Sequence, residues 1–341
     1  MGTDKITRAV IVHRAGASVT VQDLGRPGNM VDGLSPGGAA DRCAFVEGAV
    51  LLGQDLDCAA LEMAGFGGEF EATSDMRVAL TGAPMQVRLD GQPLEFNASH
   101  TLAAGQRLTV GAATRGVYGY LHVGGGFATQ PFLGSRAVHL ASGIGAPISG
   151  GDQISVGEDA KPGNVGQKLS VNDRFSGGVV QVLPSIQTNL FSVATRERFE
   201  ATVFFRTPRG NRQGVELKFD GDPFTSEGQL KILSESMIAG DIQMTGNGDP
   251  FVLLPECQTT GGYPRIGTIL PDDLPIVAQA GVGVSLMFKF ITHKQALAHH
   301  RSPKVLYANL GAKLHPLLRD PHDIQDLLGY QLISGAITGW D

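Results

Sequence analysis

The sequence predicts a mainly β protein with a few helices, divided into two domains. Its 47 glycines follow no triplet period and are accompanied by 18 prolines spread along the chain, which points to many tight turns between short strands. Short runs rich in β-branched and aromatic residues recur throughout, whereas helical periodicity is confined to a few segments. A chain of 341 residues exceeds the roughly 150 residues typical of one domain, so two are expected.

Taken in order, the first helix is expected over Ala39–Leu52, entered through Ser35-Pro36-Gly37-Gly38 and ended at Gly53. Val78 to Thr81 reads as a strand. Met85, Val87 and Leu89 alternate on one face, the chain turns at Asp90-Gly91, and the pattern resumes at Leu94 and Phe96. That is a hairpin signature, because Asp-Gly tolerates the positive φ angles of a two-residue turn. The runs Gly105–Gly111 and Gly151–Gly157 repeat one pattern, a glycine turn launching a short strand, with a weaker echo at Gly281–Leu286. A common turn explains this as well as an internal duplication does.

Between Glu158 and Gly178 the sequence turns polar and loses periodicity, which places the junction there. Residues 1–172 then form the first domain and residues 173–300 the second. Further strands are expected at Val179–Leu183, Thr202–Arg206, Val215–Phe219 and Phe251–Leu254, with a short helix after Pro271 running through Asp272 and Asp273 to Ala278. Residues 301–341 read as a docked helical extension, in which Pro321 to Tyr330 is a capped helix.

Composition excludes several classes of function. Hydrophobic residues at 42% and charged residues at 18% describe a folded chain rather than a disordered one. A net charge of -6, with no dense stripe of Lys or Arg, argues against nucleic acid as a partner. Cys43, Cys58 and Cys257 are odd in number and far apart, so neither a disulfide framework nor a structural zinc site is expected. Met1 to Val12 has no signal-peptide core, no stretch reaches membrane-spanning length, and Ile6 stands where a myristoylation signal wants Ser or Thr. A cytoplasmic location is expected. His299, His300, His315 and His322 lack metal-ligand spacing, so no metal is expected. The chain also lacks a GxxxxGK[ST] phosphate loop, a dinucleotide fingerprint and a GxSxG elbow.

Two segments gather polar groups among glycines. The first runs from Gln22 through Asp23 and Arg26 to Gly28, then from Gly33 through Ser35, Gly37, Gly38 and Asp41 to Arg42. If Ser35 to Gly38 precedes a helix, its free backbone N–H groups would seat a carboxylate or phosphate, with Arg26 and Arg42 adding bidentate hydrogen bonds. Equally, Ser35 could simply cap the helix while Asp41 and Arg42 pair on its surface. The second segment is Glu256-Cys257-Gln258-Thr259-Thr260-Gly261-Gly262-Tyr263-Pro264, directly after an apolar run. Its carboxylate, amide, hydroxyls and phenol could read the edges of an amide or ureido group, or could be a polar turn ending a strand.

These segments, together with Tyr120–Gly126, Gly134-Ser135-Arg136, Gly240–Gln243 and Asp273-Leu274 followed by Ala278-Gln279, resemble the biotin-dependent carboxyltransferase family, also called allophanate hydrolase subunit 2. The likeness runs from about Val10 to about Phe290. It implies two cyclophilin-like β-barrel domains with a ligand cleft between them. Members include the C-type subunit of the ATP-dependent 5-oxoprolinase, the carboxyltransferase module of urea carboxylase, and an antagonist of a sporulation-kinase inhibitor. The chain departs from the family pattern at Glu256, commonly Asp, at Ala49, commonly Asn, and at Gly210–Gly214, where Ser-Asp-Arg-x-Gly is usual.

The resemblance implies one component, inactive alone, of an enzyme that opens the lactam of 5-oxoproline to glutamate at the expense of ATP. ATP would be bound by the complex, and the partners would be the other components of the same enzyme, its A-type and B-type subunits. Glu256, Arg42 and Asp23 are the catalytic candidates, with Glu256 orienting the ring N–H or activating a nucleophile. Arg26, Ser35, Gly37, Gly38, Asp41, Gln243, Gln258, Thr259, Thr260 and Tyr263 are the candidates for binding substrate. The alternatives are a carboxyltransferase using biotin carried by a partner, and a regulatory binding protein without turnover.

Overall fold

A computed structural model describes residues 8–226 and 233–318. The expected terminal helix Pro321 to Tyr330, and with it His322, lies outside the described residues.

The mainly β class holds. In the first half, two antiparallel sheets face each other. One has six strands in the order Gln153–Ser155, Ala9–Ala15, Phe66–Ala72, Arg107–Ala113, Met85–Leu89 and Gln92–Pro93. The other has seven, in the order Val19–Gln22, Ala60–Ala64, Tyr118–Val123, Met76–Gly82, Ala98–Leu102, Gln167–Leu169 and Leu314–Pro316. Glycine corners divide the chain between them. Gly65, at φ 75°, turns Ala60–Ala64 out of one sheet and Phe66–Ala72 into the other, and Gly82, at φ 82°, does the same before Met85–Leu89. Inward-facing Val12, Phe70 and Leu108 of one sheet and Val21, Leu80 and Leu121 of the other share a single buried core. The predicted hairpin is present, with Asp90 at φ 46° and Gly91 at φ 84°.

In the second half, seven strands form a closed barrel, sealed where Gly178–Leu183 runs parallel to Ser285–Phe290. Backbone pairing thus closes a barrel in this half, whereas the first half is two sheets. Phe199, from the helix Val193–Ala201, fills the barrel against Phe204, Phe224 and Phe288, and stacks on Phe288 at 5.2 Å between ring centroids.

The first helix spans Arg42–Leu52, three residues later than expected. Its N-cap is Asp41, which accepts from Ala44 N at 2.9 Å, and not Ser35. The cause is non-local. Ala39 N donates to Asp23 O and Ala40 N to Glu62, which keeps the chain extended up to Asp41. After the helix Pro303–Gly311 packs on this first helix, the chain adds Leu314–Pro316 to the edge of the seven-stranded sheet. No helix among the described residues is long and apolar enough to cross a membrane.

Candidate functional site

The glycines of the first motif serve backbone packing. Arg26 N donates to Pro36 O at 2.8 Å and Ala39 N to Asp23 O at 2.9 Å, so residues 23–26 lie directly on residues 36–39. A Cβ on Gly25 would stand 2.7 Å from Pro36 O, and one on Gly38 2.7 Å from Gly25 N. Asp23 knots the loops, accepting from Gly25 N, Ser135 Oγ and Arg136 N at 2.6–2.7 Å. These three bonds give Asp23 a structural role in joining the loops, and it lines none of the cavities described below.

The anion seat expected at Ser35–Gly38 is not formed at a helix terminus. Gly37 N donates to Pro255 O, and the N–H groups of Ala39, Ala40 and Asp41 go to Asp23 O, Glu62 and the Tyr120 hydroxyl. Arg42 turns away to pair with Asp272 at 2.6 Å and to donate to Arg301 O. Arg26 is buried. It donates to the Phe132 and Ala137 carbonyls, while its Nη1 has no partner and lies 3.6 Å from where a Cβ of Gly37 would sit.

Glu256 is where the two halves meet chemically. Its carboxylate is buried, paired with Arg212 Nε, and accepts from Ala141 N at 3.1 Å. Arg212 also pairs with Glu62 and donates to Gly38 O at 2.6 Å. Glu62 in turn accepts from the Tyr120 hydroxyl at 2.6 Å and from Ala40 N at 2.8 Å. Through Asp41 N, 2.8 Å from that hydroxyl, the chain of contacts reaches Asp41, whose carboxylate takes Arg174 Nε and Gln279 Nε2. Arg174 then grips Glu47 with both terminal nitrogens, at 2.9 and 2.7 Å. Burial pushes the Glu47 carboxyl up and Arg174 opposes it. Burial and the neighbouring carboxylates Glu62 and Asp41 hold the Tyr120 phenol well above its ordinary range, so it stays a donor.

Beside Glu256, His139 Nε2 lies 2.9 Å from Ser35 Oγ, and its Nδ1 accepts from Ser142 N at 3.2 Å. That acceptor role places the proton on Nε2, which donates to Ser35, so the imidazole does not act as a base toward this hydroxyl. Glu256 Oε2 is 3.9 Å from Nδ1, beyond hydrogen-bond reach.

One cavity, of about 420 Å³, adjoins Glu47 and Arg174, and two lie nearer Glu256. Of these two, the first, of about 340 Å³, is largely apolar and lies among Leu24, Pro36, Ile238, Pro255 and Leu274, with Arg42 on its wall. The other, of about 380 Å³, is a cleft between the halves, walled by Tyr118 and Ala141 on one side and by Arg206, Gly210, Arg212 and Glu256 on the other. Glu256, Arg212 and Arg206 line the second, and we regard it as the candidate site. Gln279 shapes its wall, accepting from Val117 N and Tyr118 N at 2.9 Å each.

The rest of the second motif diverges from Glu256. After a turn in which Cys257 N donates to Leu254 O, Glu256, Cys257 and Thr259 are buried while Gln258 and Thr260 are exposed. Gln258 Nε2 donates to Gln243 Oε1 at 3.2 Å, and Thr259 O accepts from Met237 N. Thr260 pairs with Ser236 in a short ribbon, and Tyr263 is 51% exposed. None of these five lines any of the three cavities. Sequence reasoning missed Glu62, His139 and Arg174 outright. It passed over Arg212 inside the altered Gly210–Gly214 stretch, and Tyr120 within its quoted motif. An acid between Leu61 and Met63 in an apolar strand was the available signal for Glu62. Among the described residues, no group of three or more His, Cys, Asp or Glu side chains is arranged to hold a metal.

Comparison with known proteins places this geometry in context. The family described as "Carboxyltransferase domain, subdomain A and B" matches residues 32–290. The chain is 31% identical over 308 residues to the C-type subunit of 5-oxoprolinase from Escherichia coli (strain K12), covering 89% of this chain and 98% of that protein. It is 24% identical to the urea amidolyase of Saccharomyces cerevisiae, covering 91% of this chain but 18% of that one. Among solved structures, TTHA0988 superposes with a TM-score of 0.76 at 29% identity, over 85% of this chain and 57% of that chain. The urea amidolyase of K. lactis shares the fold, with a TM-score of 0.77 at 22% identity, over 92% and 21%.

Proposed function

Because the chain belongs to the carboxyltransferase-domain family with subdomains A and B, we propose that it is the C-type subunit of a 5-oxoprolinase complex, contributing Glu256 to the opening of a cyclic amide. The observation that carries this reading is a carboxylate held at a cleft between the halves by Arg212 and Ala141 N, each engaging one of its oxygens. Each oxygen keeps a lone pair, so Glu256 can accept the ring N–H or take a proton from attacking water.

An unactivated lactam resists water at neutral pH, and ATP supplies the driving force. Transfer of its terminal phosphoryl group to the lactam oxygen activates the ring carbon. Water adds there, the ring C–N bond breaks to leave an acyl phosphate, and a second water releases phosphate and glutamate. Arg212 fixes Glu256 through the reaction and is itself anchored by Glu62 and Gly38 O. ATP is assigned to the complex, with A-type and B-type subunits as partners and a cytoplasmic location to match the use of ATP.

The test is ATP-dependent glutamate release from 5-oxoproline by the purified chain and by the chain co-purified with both partners. Turnover is expected only from the complex. Robust turnover by the chain alone would refute the reading as one component of a larger enzyme. Activity of the complex on urea with a biotinylated partner, and none on the lactam, would replace the reading with a carboxyltransferase.

A further inference from the structure

The buried arginines Arg77, Arg174, Arg212 and Arg265 each pair with a carboxylate. Arg206 does not. It is 8% exposed and stands on the wall of the 380 Å³ cleft, and its one side-chain hydrogen bond among the described residues runs from Nη1 to the Ala280 carbonyl at 2.8 Å. Its Nε is buried without a partner, and no carboxylate among the described residues forms an ion pair with it. Arg26 shares the lack of an ion pair, but it lines none of the three cavities.

The local backbone is arranged around this side chain. The strand Phe204–Asn211 bulges between Arg206 and Gly210, where its register against Gly214–Lys218 shifts. The bulge carries Thr207 and Arg209 to Glu216, at 3.0 and 3.1 Å, which occupies the nearest acid on that hairpin with other partners. Gly210 keeps the guanidinium clear, because a Cβ there would stand 3.0 Å from Arg206 Nη2. Across the cleft, the Tyr118 hydroxyl makes no hydrogen bond among the described residues, and burial pushes its pKa up to about 12, so it is a neutral phenol and no counter-charge for Arg206.

A buried guanidinium without a counter-charge is unfavourable unless a ligand completes it. We propose that Arg206 binds the carboxylate of the substrate, so that the cleft selects an amide carrying an anionic carboxylate over a neutral amide or urea. Each of the three Arg212 nitrogens has a protein partner, in Glu256, Glu62 and Gly38 O, whereas Arg206 is the cleft arginine whose Nε has none. A planar fork facing a carboxylate gives two parallel charge-assisted bonds, and a neutral isostere forfeits both. This inference rests on the function proposed above for its choice of ligand, though the anion preference itself does not.

The experiment measures binding by calorimetry to the full chain co-purified with its partners, using 5-oxoproline, its decarboxylated analogue 2-pyrrolidinone, inorganic phosphate and ATP. The parent is expected to prefer 5-oxoproline to 2-pyrrolidinone by about tenfold or more, the scale of a charge-assisted hydrogen bond. Arg206→Met should lose that preference with 2-pyrrolidinone affinity unchanged, and Arg206→Lys should retain part of it. Thermal melting verifies that each variant is folded. Equal preference in parent and Arg206→Met overturns the proposal, as does an Arg206 dependence seen for phosphate or ATP and not for 5-oxoproline. If 5-oxoproline fails to bind the parent but glutamate or another small carboxylate binds in an Arg206-dependent way, the carboxylate site stands and the lactam substrate falls.

Discussion

Glu256→Gln separates the role of this side chain in chemistry from its role in holding the halves together. The substitution keeps the shape and removes the charge. In the parent, Arg212 is shared between Glu256 and Glu62, so the variant loses one charge-assisted contact while the guanidinium keeps a carboxylate partner. A charge-assisted hydrogen bond contributes about 1.5–3 kcal/mol, well short of the roughly 3–5 kcal/mol lost when a buried pair is broken outright. The amide oxygen can still accept from Ala141 N, so the loop at Leu140–Ser142 should stay docked. The expected stability loss is therefore about 2 kcal/mol, read from guanidinium unfolding of the chain with the slope unchanged. Turnover of the complex should fall by a factor of about 10² to 10⁴, the usual contribution of a positioned proton acceptor. A variant that keeps near wild-type kcat would show that the reaction occurs elsewhere. A variant that unfolds entirely would show that Glu62 alone does not neutralise Arg212.

Two further outcomes follow from buried charge. Arg174→Met leaves Asp41 and Glu47 buried without their guanidinium and should cost about 3–5 kcal/mol, seen as a large drop in melting temperature; a drop no larger than that of a surface substitution would contradict the network. His122 is buried with both ring nitrogens unpartnered, and burial pushes its pKa down to about 3 from 6.5. It stays neutral in the fold while the unfolded chain takes up a proton below pH 6.5, so stability present above that pH is lost as pH falls toward 3. The loss is about 1.4 kcal/mol per pH unit, or about 2 kcal/mol at pH 5. The advantage of His122→Leu over the parent should grow by that amount between pH 7 and pH 5 in urea unfolding, and a constant difference would disprove the assignment.

The strands were legible because their signals are local. Asp90-Gly91 announces a hairpin by turn chemistry alone, and the runs at Val78, Val179 and Val215 carry β-branched residues where strands are found. The start of the first helix was not legible, because Ala39 and Ala40 are held extended by Asp23 and Glu62, contacts that helix propensity does not contain. At the candidate site Glu256 could be singled out, since an acid opening a glycine-rich turn after an apolar strand is unusual. Its setting could not. Arg212 meets Glu62 across 150 positions and Arg174 meets Asp41 across 133, so no spacing rule brings them together. The glycines near Gly25 and Gly38 were read as a seat for a ligand, and they serve to let two stretches of backbone touch.

The order of charges along the chain bears on how the protein is made. Asp41, Glu47 and Glu62 are all synthesised early, whereas the arginines that neutralise them, Arg174 and Arg212, come from the segment between the halves and from the barrel. A nascent chain that has emerged only through Gln167–Leu169 holds three acids destined for burial and none of their counter-ions. Its two sheets can collapse on their shared apolar core, but the first helix, which carries Asp41 and Glu47, settles onto them only once translation has moved past Arg174. The same dependence makes the two halves poor candidates for separation, since a chain cut at the junction would strand its acids in the amino-terminal piece.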